Sequence, residues 1–301
     1  MTNVADYTLP IRQQIRVGKK TISAFEINGE NIDPETVRSF GDEWLKFSHF
    51  SAEEIQEAGD QYFDIVPRDI YTGKYVLDVG CGAGRWSKYL SEKVGALEAI
   101  DPSEAVLSAA ALLQDEEHIR ISKASADNIP FPNETFDLVF SLGVLHHIPD
   151  THAAMRKCVE KAKRSGYFLV YLYYNFENRG ALYKLIYYTS NFLRRMVCRL
   201  PLAMKRFVCD LLAFAVYLPF VVVSKLMFVL GLGKIARHIP LSYYADKSLN
   251  IIRNDSLDRF GTPLEQRFSR DQIRQMMIDC GLHNIVFSGK EPYWHAIGQK
   301  K

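Results

Sequence analysis

Short apolar runs alternate with helical stretches through the middle of the chain. The run Tyr75-Val76-Leu77-Asp78-Val79 ends in glycines, which is typical of a buried parallel strand. Strands are predicted at residues 75–79, 96–100, 119–122, 136–141 and 167–171. Helices are predicted between the first three strands, at 85–94 and 103–113. Because strands separated by helices form βαβ units, this pattern predicts a doubly wound, mostly parallel sheet.

The N-terminal 70 residues carry helix signals. Asp33 is placed to cap a helix that begins with Pro34. Ser51 begins a second helix, and Glu54 stands at the position that completes a capping box. We therefore expect this part of the chain to form an N-terminal helical cap.

The C-terminal residues predict the last elements of the same fold. A helix at 269–280 is followed by two short strands, at 285–288 and 293–297, which are expected to pair as a closing antiparallel hairpin. The predicted fold class is thus α/β, with a Rossmann-like sheet, this hairpin, the N-terminal cap and a helical insertion.

Charge marks the insertion. Between Asn178 and Pro240 the chain has ten Lys or Arg and a single acid, Asp210, so this segment is +9 while the whole chain is +2. Such a shift in composition predicts a separate module. The predicted divisions are an N-terminal cap at 1–70, an α/β core at 71–177, a basic and apolar insertion at 178–250, and the C-terminal part of the core at 251–301.

Overall composition narrows the class of protein. The 301 residues are 48% hydrophobic and 24% charged, which suits a globular protein of one or two domains. The nearly balanced charge argues against a nucleic-acid binder. The five cysteines are scattered and form no CxxC pair, which favours a reducing cytosol over a disulfide framework or structural zinc. No signal-peptide pattern is read at the N-terminus.

Three alternating glycines, Gly80, Gly82 and Gly84, follow the first predicted strand of the core. Glycine allows positive φ and lets a ligand approach the backbone. The dinucleotide fingerprint G-x-G-x-x-G fails, because Arg85 occupies its last position. Asp78, two residues before the loop, would repel a pyrophosphate and suits an ammonium group. S-adenosylmethionine (SAM) carries an ammonium and a sulfonium but no phosphate.

A second acid follows at the spacing that a βαβ unit produces. Asp101 ends the second core strand, 21 residues after Gly80. A carboxylate in this place can accept hydrogen bonds from ribose hydroxyls. Helix capping is the competing role, for which Ser103 is also available.

These motifs resemble the class I SAM-dependent methyltransferase family, in the branch that includes quinone, sterol and tRNA-wobble methyltransferases. The resemblance covers about residues 75–175 and rests on four motifs in order. They are Val76-Leu77-Asp78-Val79-Gly80-Cys81-Gly82-Ala83-Gly84, Ala99-Ile100-Asp101-Pro102-Ser103, Ala126-Asp127-Asn128-Ile129-Pro130-Phe131, and Phe136 to His147.

The resemblance implies SAM as cofactor and a role for each motif. Gly80, Gly82 and Gly84 would lie under the methionine half of SAM, and Asp101 would hold the ribose, with Cys81 and Pro102 as further cofactor-binding residues. Ala126 and Asp127 would face the adenine, and Leu142 would line the floor beneath the sulfonium. Many relatives carry an Asp where this chain has Ser125, so adenine recognition is expected to use Asp127 or backbone groups.

Aromatic residues of the N-terminal cap are candidates for ligand contact. An N-terminal helix that covers the SAM pocket is common in this family, which makes Phe40 or Trp44 a candidate. Core packing is the alternative for both residues and for Phe47.

The histidines near the end of the fourth core strand leave two readings open. His146 or His147 could act as a general base for a hydroxyl acceptor, or both could be structural. With Asp150 and His152 they suggest a metal cluster, but methyl transfer from a sulfonium needs no metal, so we predict none.

The insertion combines apolar and basic residues. Leu211 to Val223 carries no charge but is shorter than a spanning helix requires, and Pro219 is expected to kink it. The preceding stretch suits an amphipathic helix on anionic lipid, so peripheral membrane contact is expected through 182–237. A helical lid over the acceptor pocket is the alternative. Either way we expect an apolar acceptor.

Together these features predict methyl transfer from SAM to a small-molecule or lipid-linked acceptor. The expected location is the cytoplasm, or the inner face of the membrane. Two alternatives stay open, a tRNA methyltransferase and a non-catalytic SAM-binding partner subunit. The acceptor atom and the oligomeric state are not predicted.

Overall fold

The structure is a computed structural model that describes residues 4–27, 29–47, 50–177 and 180–301, without the side chains of 181–184 and 186. The chain divides into two compact units. One consists of Met1–Asn178 and Leu264–Lys301, and the other of Arg179–Pro263. The first unit is α/β and the second is helical.

The first unit is built on one mixed sheet of nine described strands. The strands are β1 (Gln13–Val17), β2 (Lys20–Ala24), β3 (Tyr75–Val79), β4 (Ala96–Asp101), β5 (Ile119–Lys123), β6 (Phe136–Leu142), β7 (Ala162–Tyr171), β8 (Leu282–Phe287) and β9 (His295–Lys300). Their order is β1-β2-β5-β4-β3-β6-β7-β9-β8. The pairs from β2 to β7 are parallel, and β9 is antiparallel to both β7 and β8. This confirms the predicted α/β fold with its closing hairpin.

Helices connect these strands and make up the second unit. Those of the first unit are α1 (Pro34–Lys46), α2 (Ala52–Tyr62), α3 (Arg85–Leu90), α4 (Ala105–Leu112), α5 (Thr151–Lys161) and α11 (Arg270–Asp279). Those of the second unit are α6 (Ala181–Val197), α7 (Leu202–Leu212), α8 (Leu218–Val229), α9 (Gly233–Ala236) and α10 (Leu249–Gly261).

The N-terminal segment contains a β-hairpin that the sequence prediction missed. Strands β1 and β2 pair antiparallel around Gly18, which has φ +56°, and β2 then pairs parallel to β5. A two-residue loop between short alternating strands is a recognised hairpin signal. The N-terminal cap is therefore helical only after this hairpin.

Both predicted helix starts in the cap are confirmed. The Asp33 carboxylate accepts a hydrogen bond from Thr36 N at 2.7 Å. Ser51 Oγ accepts from Glu54 N, and the Glu54 carboxylate accepts from Ser51 N at 2.9 Å. Several other boundaries differ. In particular, β7 begins at 162 rather than 167, with a register shift opposite β6.

Alternation along the strands divides the core of the first unit between two faces of the sheet. Val76, Leu97 and Leu138 belong to one buried cluster, and Leu77 and Ile100 belong to another. Since neighbouring residues of a strand point to opposite faces, the central strands are apolar on both sides. Their carboxyl ends are therefore where polar groups can emerge.

The second unit, which we call the helical module, ends beyond the predicted boundary at residue 250. Helix α10 packs against α6 and α7, which places it in this module. A π-helical stretch, Ala213–Tyr217, precedes Pro219, and the helix continues through it from 202 to 229. Within the described chain, this 28-residue helix is long and apolar enough to cross a membrane, by length and composition alone.

Candidate active site

The glycine loop turns away from β3 at the carboxyl edge of the sheet. Gly80, Gly82 and Gly84 have φ of +83°, +52° and +85°. The N–H groups of Gly80 and Cys81 both donate to the carbonyl of Ile100, at 2.8 and 2.9 Å, which folds the loop over β4. The loop therefore has the backbone geometry for which the sequence provides glycines.

Asp78 is fully buried beneath this loop. Its Oδ2 accepts a hydrogen bond from Ser87 Oγ at 2.7 Å, whereas Oδ1 is buried and has no hydrogen-bond partner among the described residues. Burial raises the pKa of Asp78 to about 8, Ser87 opposes that shift, and the nearby Asp101 adds to it. A buried acid with an unsatisfied oxygen is costly, and an ammonium donor would relieve that cost. This observation fits the amino group of SAM.

Asp101 holds the loop to the end of β4. Its Oδ2 accepts from Gly82 N at 3.0 Å, and its Oδ1 accepts from Ser103 N and Ser103 Oγ at 2.9 and 2.6 Å. Burial raises its pKa, while these hydrogen bonds lower it. Since a carboxylate offers about four acceptor positions, one remains for a hydroxyl donor. Asp101 can accept hydrogen bonds from two ribose hydroxyls only if Ser103 Oγ rotates away from its carboxylate.

Trp44 of α1 lies against the glycine loop. A Cβ atom on Gly82 would stand 3.2 Å from Trp44 Nε1. Helix α4 supports this arrangement, since Ser108 Oγ donates to the carbonyl of Trp44 at 3.1 Å. Phe40 packs instead against the ring of His147, with centroids 4.7 Å apart, and Phe47 is buried. Of the three aromatic candidates, Trp44 is the one beside the loop.

The other predicted cofactor-binding residues occupy two places. Pro102 lines a cavity of about 340 Å³ whose wall includes Ile32 and Val37. Ala126 is buried, and the Asp127 carboxylate lies beside Gly29, where a Cβ would be 2.3 Å from Oδ2. Neither Ala126 nor Asp127 is among the residues that line the cavity.

The two candidate histidines have different surroundings. His146 is fully buried and stacks on Tyr173 at 3.9 Å, and neither of its ring nitrogens has a hydrogen-bond partner among the described residues. Burial lowers its pKa well below 6.5, helped by His147 and Arg267, so its imidazole is neutral. His147 Nδ1 donates to the carbonyl of Leu264 at 2.7 Å. The protein therefore leaves the ring nitrogens of His146 available while it fixes the ring of His147.

Leu142 of the fourth motif and Asp150, which follows that motif, both lie among residues of the folded framework. Leu142 ends β6 and is buried. Asp150 caps α5 by accepting from Ala153 N at 2.9 Å. In the described parts of the chain, no group of three or more His, Cys, Asp and Glu is arranged to hold a metal ion.

The structure adds an acid–histidine pair, in which the histidine is buried, that sequence reasoning missed. His295 lies opposite Tyr171, at the carboxyl end of β7. Its Nε2 is 2.7 Å from Asp64 Oδ1, and its Nδ1 is 2.8 Å from the carbonyl of Pro292. Ser288 Oγ donates to the other Asp64 oxygen at 3.0 Å. A histidine inside a predicted closing strand was the available signal, but its acid comes from 231 residues away.

Comparison with known proteins identifies the central segment. A family model described as "Methyltransferase domain" matches residues 77–170. The ubiquinone biosynthesis O-methyltransferase of Pseudomonas fluorescens is 36% identical over 100 residues, covering 31% of this chain and 42% of that protein. An uncharacterized methyltransferase of Bacillus subtilis is 32% identical over 103 residues, covering 33% and 40%. The chain thus spans less than half the length of these curated relatives.

Among solved structures, a SAM-dependent methyltransferase from Thermotoga maritima aligns with a TM-score of 0.44 and 14% identity, over 86% of this chain and 94% of that one. At this distance the alignment bears on neither substrate nor mechanism.

The fold and the glycine loop define a Rossmann-like methyltransferase core. Residues 77–170 match a methyltransferase domain, which agrees with the resemblance of the motifs to class I SAM-dependent methyltransferases. The predicted family, fold class and cofactor are confirmed.

Proposed function

We propose that this protein transfers a methyl group from SAM to a small-molecule or lipid-linked acceptor. The observation that carries the proposal is the buried Oδ1 of Asp78, which lacks a partner among the described residues and lies beneath the glycine loop of a methyltransferase domain. SAM, when bound, would supply a methyl group on a sulfonium, and the bond from the acceptor to the methyl carbon would form in line as the C–S bond breaks and S-adenosylhomocysteine leaves. The protein's part is to align the two and exclude water.

We assign the cofactor contacts as follows. Asp78 holds the ammonium group, and the loop from Gly80 to Gly84, including Cys81 and Gly82, lies under the methionine half. Asp101 and Pro102 hold the ribose, Ala126 and Asp127 face the adenine, Leu142 lines the floor, and Trp44 covers the loop. The burial of both acids supports this assignment, because charge–dipole contacts strengthen where water is excluded.

His146 is our candidate for the proton acceptor at an acceptor hydroxyl. It is neutral, buried beside Tyr173, and keeps both ring nitrogens without partners in the described structure. His147, which is bonded to Leu264, is assigned a positioning role. The names of the Pseudomonas relatives, which refer to O-methylation, support an oxygen acceptor.

The lipid-linked form of the acceptor is supported by the helical module. Exposed apolar side chains concentrate there, and the stretch from Asn178 to Pro240 carries a charge of +9. These features also support peripheral contact through 182–237 at the cytoplasmic face of a membrane. A nucleic-acid surface would be polar and charged throughout, which disfavours a tRNA acceptor.

Two measurements test the proposal. Calorimetry with SAM should show binding that Asp78→Ala removes. Methyl-labelled SAM, added to lysate of cells that lack the protein, should label the lipid or small-molecule fraction with wild type and not with Asp78→Ala.

A third variant separates the roles of the histidines. His146→Ala should lower kcat by roughly 10²-fold or more with little change in SAM affinity, as removal of a general base does. His147→Ala should chiefly reduce stability.

Two outcomes would favour the alternatives. Label in RNA would indicate a tRNA methyltransferase. SAM binding without label in any fraction would indicate a non-catalytic partner subunit.

A further inference from the structure

The helical module exposes far more apolar surface than the rest of the protein. Of the 27 large hydrophobic side chains that are exposed in the described chain, 22 lie between Leu185 and Leu249. Phe207 and Val229 are 70% and 79% exposed. Such a concentration of exposed apolar side chains indicates contact with another apolar phase.

The buried side of the long helix is, by contrast, partly polar. Between 202 and 229 the buried residues recur at every third or fourth position, at Lys205, Cys209, Ala213, Tyr217, Val221 and Ser224. Four of these six residues are apolar, so the helix differs from one in a water-soluble protein on its outer side, where apolar rather than polar residues are exposed.

Helix α10 supplies polar partners for that buried side. Arg253 donates to both carboxylate oxygens of Asp210 at 2.9 Å, and Ser256 Oγ donates to the carbonyl of Cys209 at 2.7 Å. The Asp255 carboxylate accepts from the Tyr217 hydroxyl at 2.7 Å. The module therefore pairs several polar groups inside, although Ser224 Oγ has no partner among the described residues, and exposes many apolar side chains, which suits contact with an apolar medium.

Helix α6 shows the same outward apolar face next to cations. Leu185, Tyr188, Phe192 and Met196 are exposed at a spacing of three or four residues, so they share one side of the helix. Arg195 is exposed beside them, and further exposed cations follow at Arg199, Lys225, Lys234 and Arg237.

From these observations we infer that the helical module docks on the surface of an anionic lipid bilayer, with the long helix lying in the interface. Positive charge next to an apolar face is complementary to anionic headgroups above hydrocarbon. A second copy of this chain would instead bring the same +9 segment against itself.

The module lies on the bilayer and does not cross it. Residues 207–224 include one charge, Asp210, and span about 27 Å as a helix, close to the hydrocarbon thickness. A crossing helix, however, would draw α10 into hydrocarbon through its contacts with α7, together with Arg253, Asp255 and Arg259. Charged side chains at that depth are strongly disfavoured.

Vesicle flotation of the full chain tests the inference without SAM or acceptor. One set of vesicles is phosphatidylcholine alone, and the other contains equal parts of phosphatidylcholine and phosphatidylglycerol. Wild type should partition onto the anionic vesicles about tenfold more strongly, and high salt should weaken this preference.

Variants assign the effect to the module. Phe207→Ser with Leu226→Ser should lower partitioning about tenfold by removing apolar contact. Arg195→Gln with Arg199→Gln should remove most of the preference for anionic vesicles. The control is Ile278→Ser with Val286→Ser, which changes two exposed apolar residues of the α/β unit and should leave partitioning unchanged.

The inference rests on the peripheral membrane contact of the proposed function and deepens it, and it fails separately from SAM binding and methyl transfer. Far-ultraviolet circular dichroism should give the same helix content for all three variants and wild type, which shows that the helical module is folded. Docking is overturned if wild type floats with neither vesicle, if it floats equally with both, or if the Phe207 variant floats like the control. It is also overturned if light scattering shows that wild type is a dimer that binds no vesicles, whereas the variant with Phe207→Ser and Leu226→Ser is a monomer.

Discussion

Asp78 combines full burial with an oxygen atom, Oδ1, that accepts no hydrogen bond within the described chain. Its pKa is about 8 in the folded protein, against an ordinary value of 3.8. The folded state therefore keeps a proton that the unfolded chain releases, and this group's contribution to stability falls as the pH rises from about 4 to 8. Because an ammonium ligand favours the ionised carboxylate of Asp78, binding of that ligand is linked to release of this proton.

We expect SAM binding to release up to one proton and to tighten as the pH rises from about 5.5 to 7.5, by at most roughly tenfold per pH unit. Calorimetry in buffers of different ionisation enthalpy measures both effects. Asp78→Asn should bind SAM roughly 10–100-fold more weakly at the upper end of that range, because a charge-assisted hydrogen bond is lost. The variant should also lose the pH dependence. An affinity for wild type that is constant over the same range would contradict this assignment.

Gly80 and Gly73 both have a positive φ but differ in what surrounds them. A Cβ at this position would lie 2.4 Å from Val144 Cγ2, whereas a Cβ at Gly73, which has φ +68°, would meet no atom within 4 Å. The two positions therefore separate backbone strain from a steric clash.

Gly73→Ala should cost about 1 kcal/mol of unfolding free energy, from the left-handed backbone alone. Gly80→Ala should cost roughly 2–4 kcal/mol and weaken SAM binding, because the loop must move away from Val144. Urea denaturation and calorimetry measure the two effects. Equal losses of unfolding free energy in both variants would show that the contact with Val144 is relieved at little cost in free energy.

At the scale of elements, α1 links a local cap to the site. Asp33 begins the helix, and Trp44, near its end, lies against Gly82. Helix α11 begins with a similar cap at Ser269, whose Oγ accepts from Gln272 N at 3.1 Å. Trp44 gives the first of these two caps a functional consequence.

Asp33→Ala and Ser269→Ala should each lower the unfolding free energy by about 1 kcal/mol. Only Asp33→Ala should also weaken SAM binding, by a few fold, because fraying of α1 loosens the position of Trp44. Denaturation and calorimetry of the two variants give the comparison. A matching loss of SAM affinity in Ser269→Ala would assign the effect to global stability.

At the scale of the whole molecule, two compact units are proposed to bind two different partners. The α/β unit carries the glycine loop, and the helical module carries the apolar and basic surface. A ligand stabilises only the structure to which it binds.

Scanning calorimetry should therefore resolve two responses. SAM at about 100 times its Kd should stabilise the α/β unit by about 2.7 kcal/mol, while anionic bicelles should raise the transition of the helical module. Asp78→Ala should abolish the first response and leave the second unchanged. A single transition that both additions shift equally would contradict independent binding.

The amino-acid sequence was sufficient for features that depend on neighbouring residues. The strand-to-glycine transition at 75–84 and the caps at Asp33 and Ser51 are local patterns, so periodicity and spacing predict them. The hairpin at 13–24 was equally local in its signal and was missed. The basic insertion was visible because its charge differs from that of the rest of the chain.

Tertiary structure decided which atoms of those residues find partners. Among the described residues, Oδ2 of Asp78 has a hydrogen-bond partner and Oδ1 has none, and Asp101 is bonded to Gly82 and Ser103. Within the same residues, the ring of His147 is hydrogen-bonded and that of His146 is not. Tertiary structure also turns the apolar residues of the helical module outward. Each outcome depends on contacts between residues far apart in the chain and on the burial that they create. A local pattern names the groups that can act, and only packing determines which of them remain unpaired.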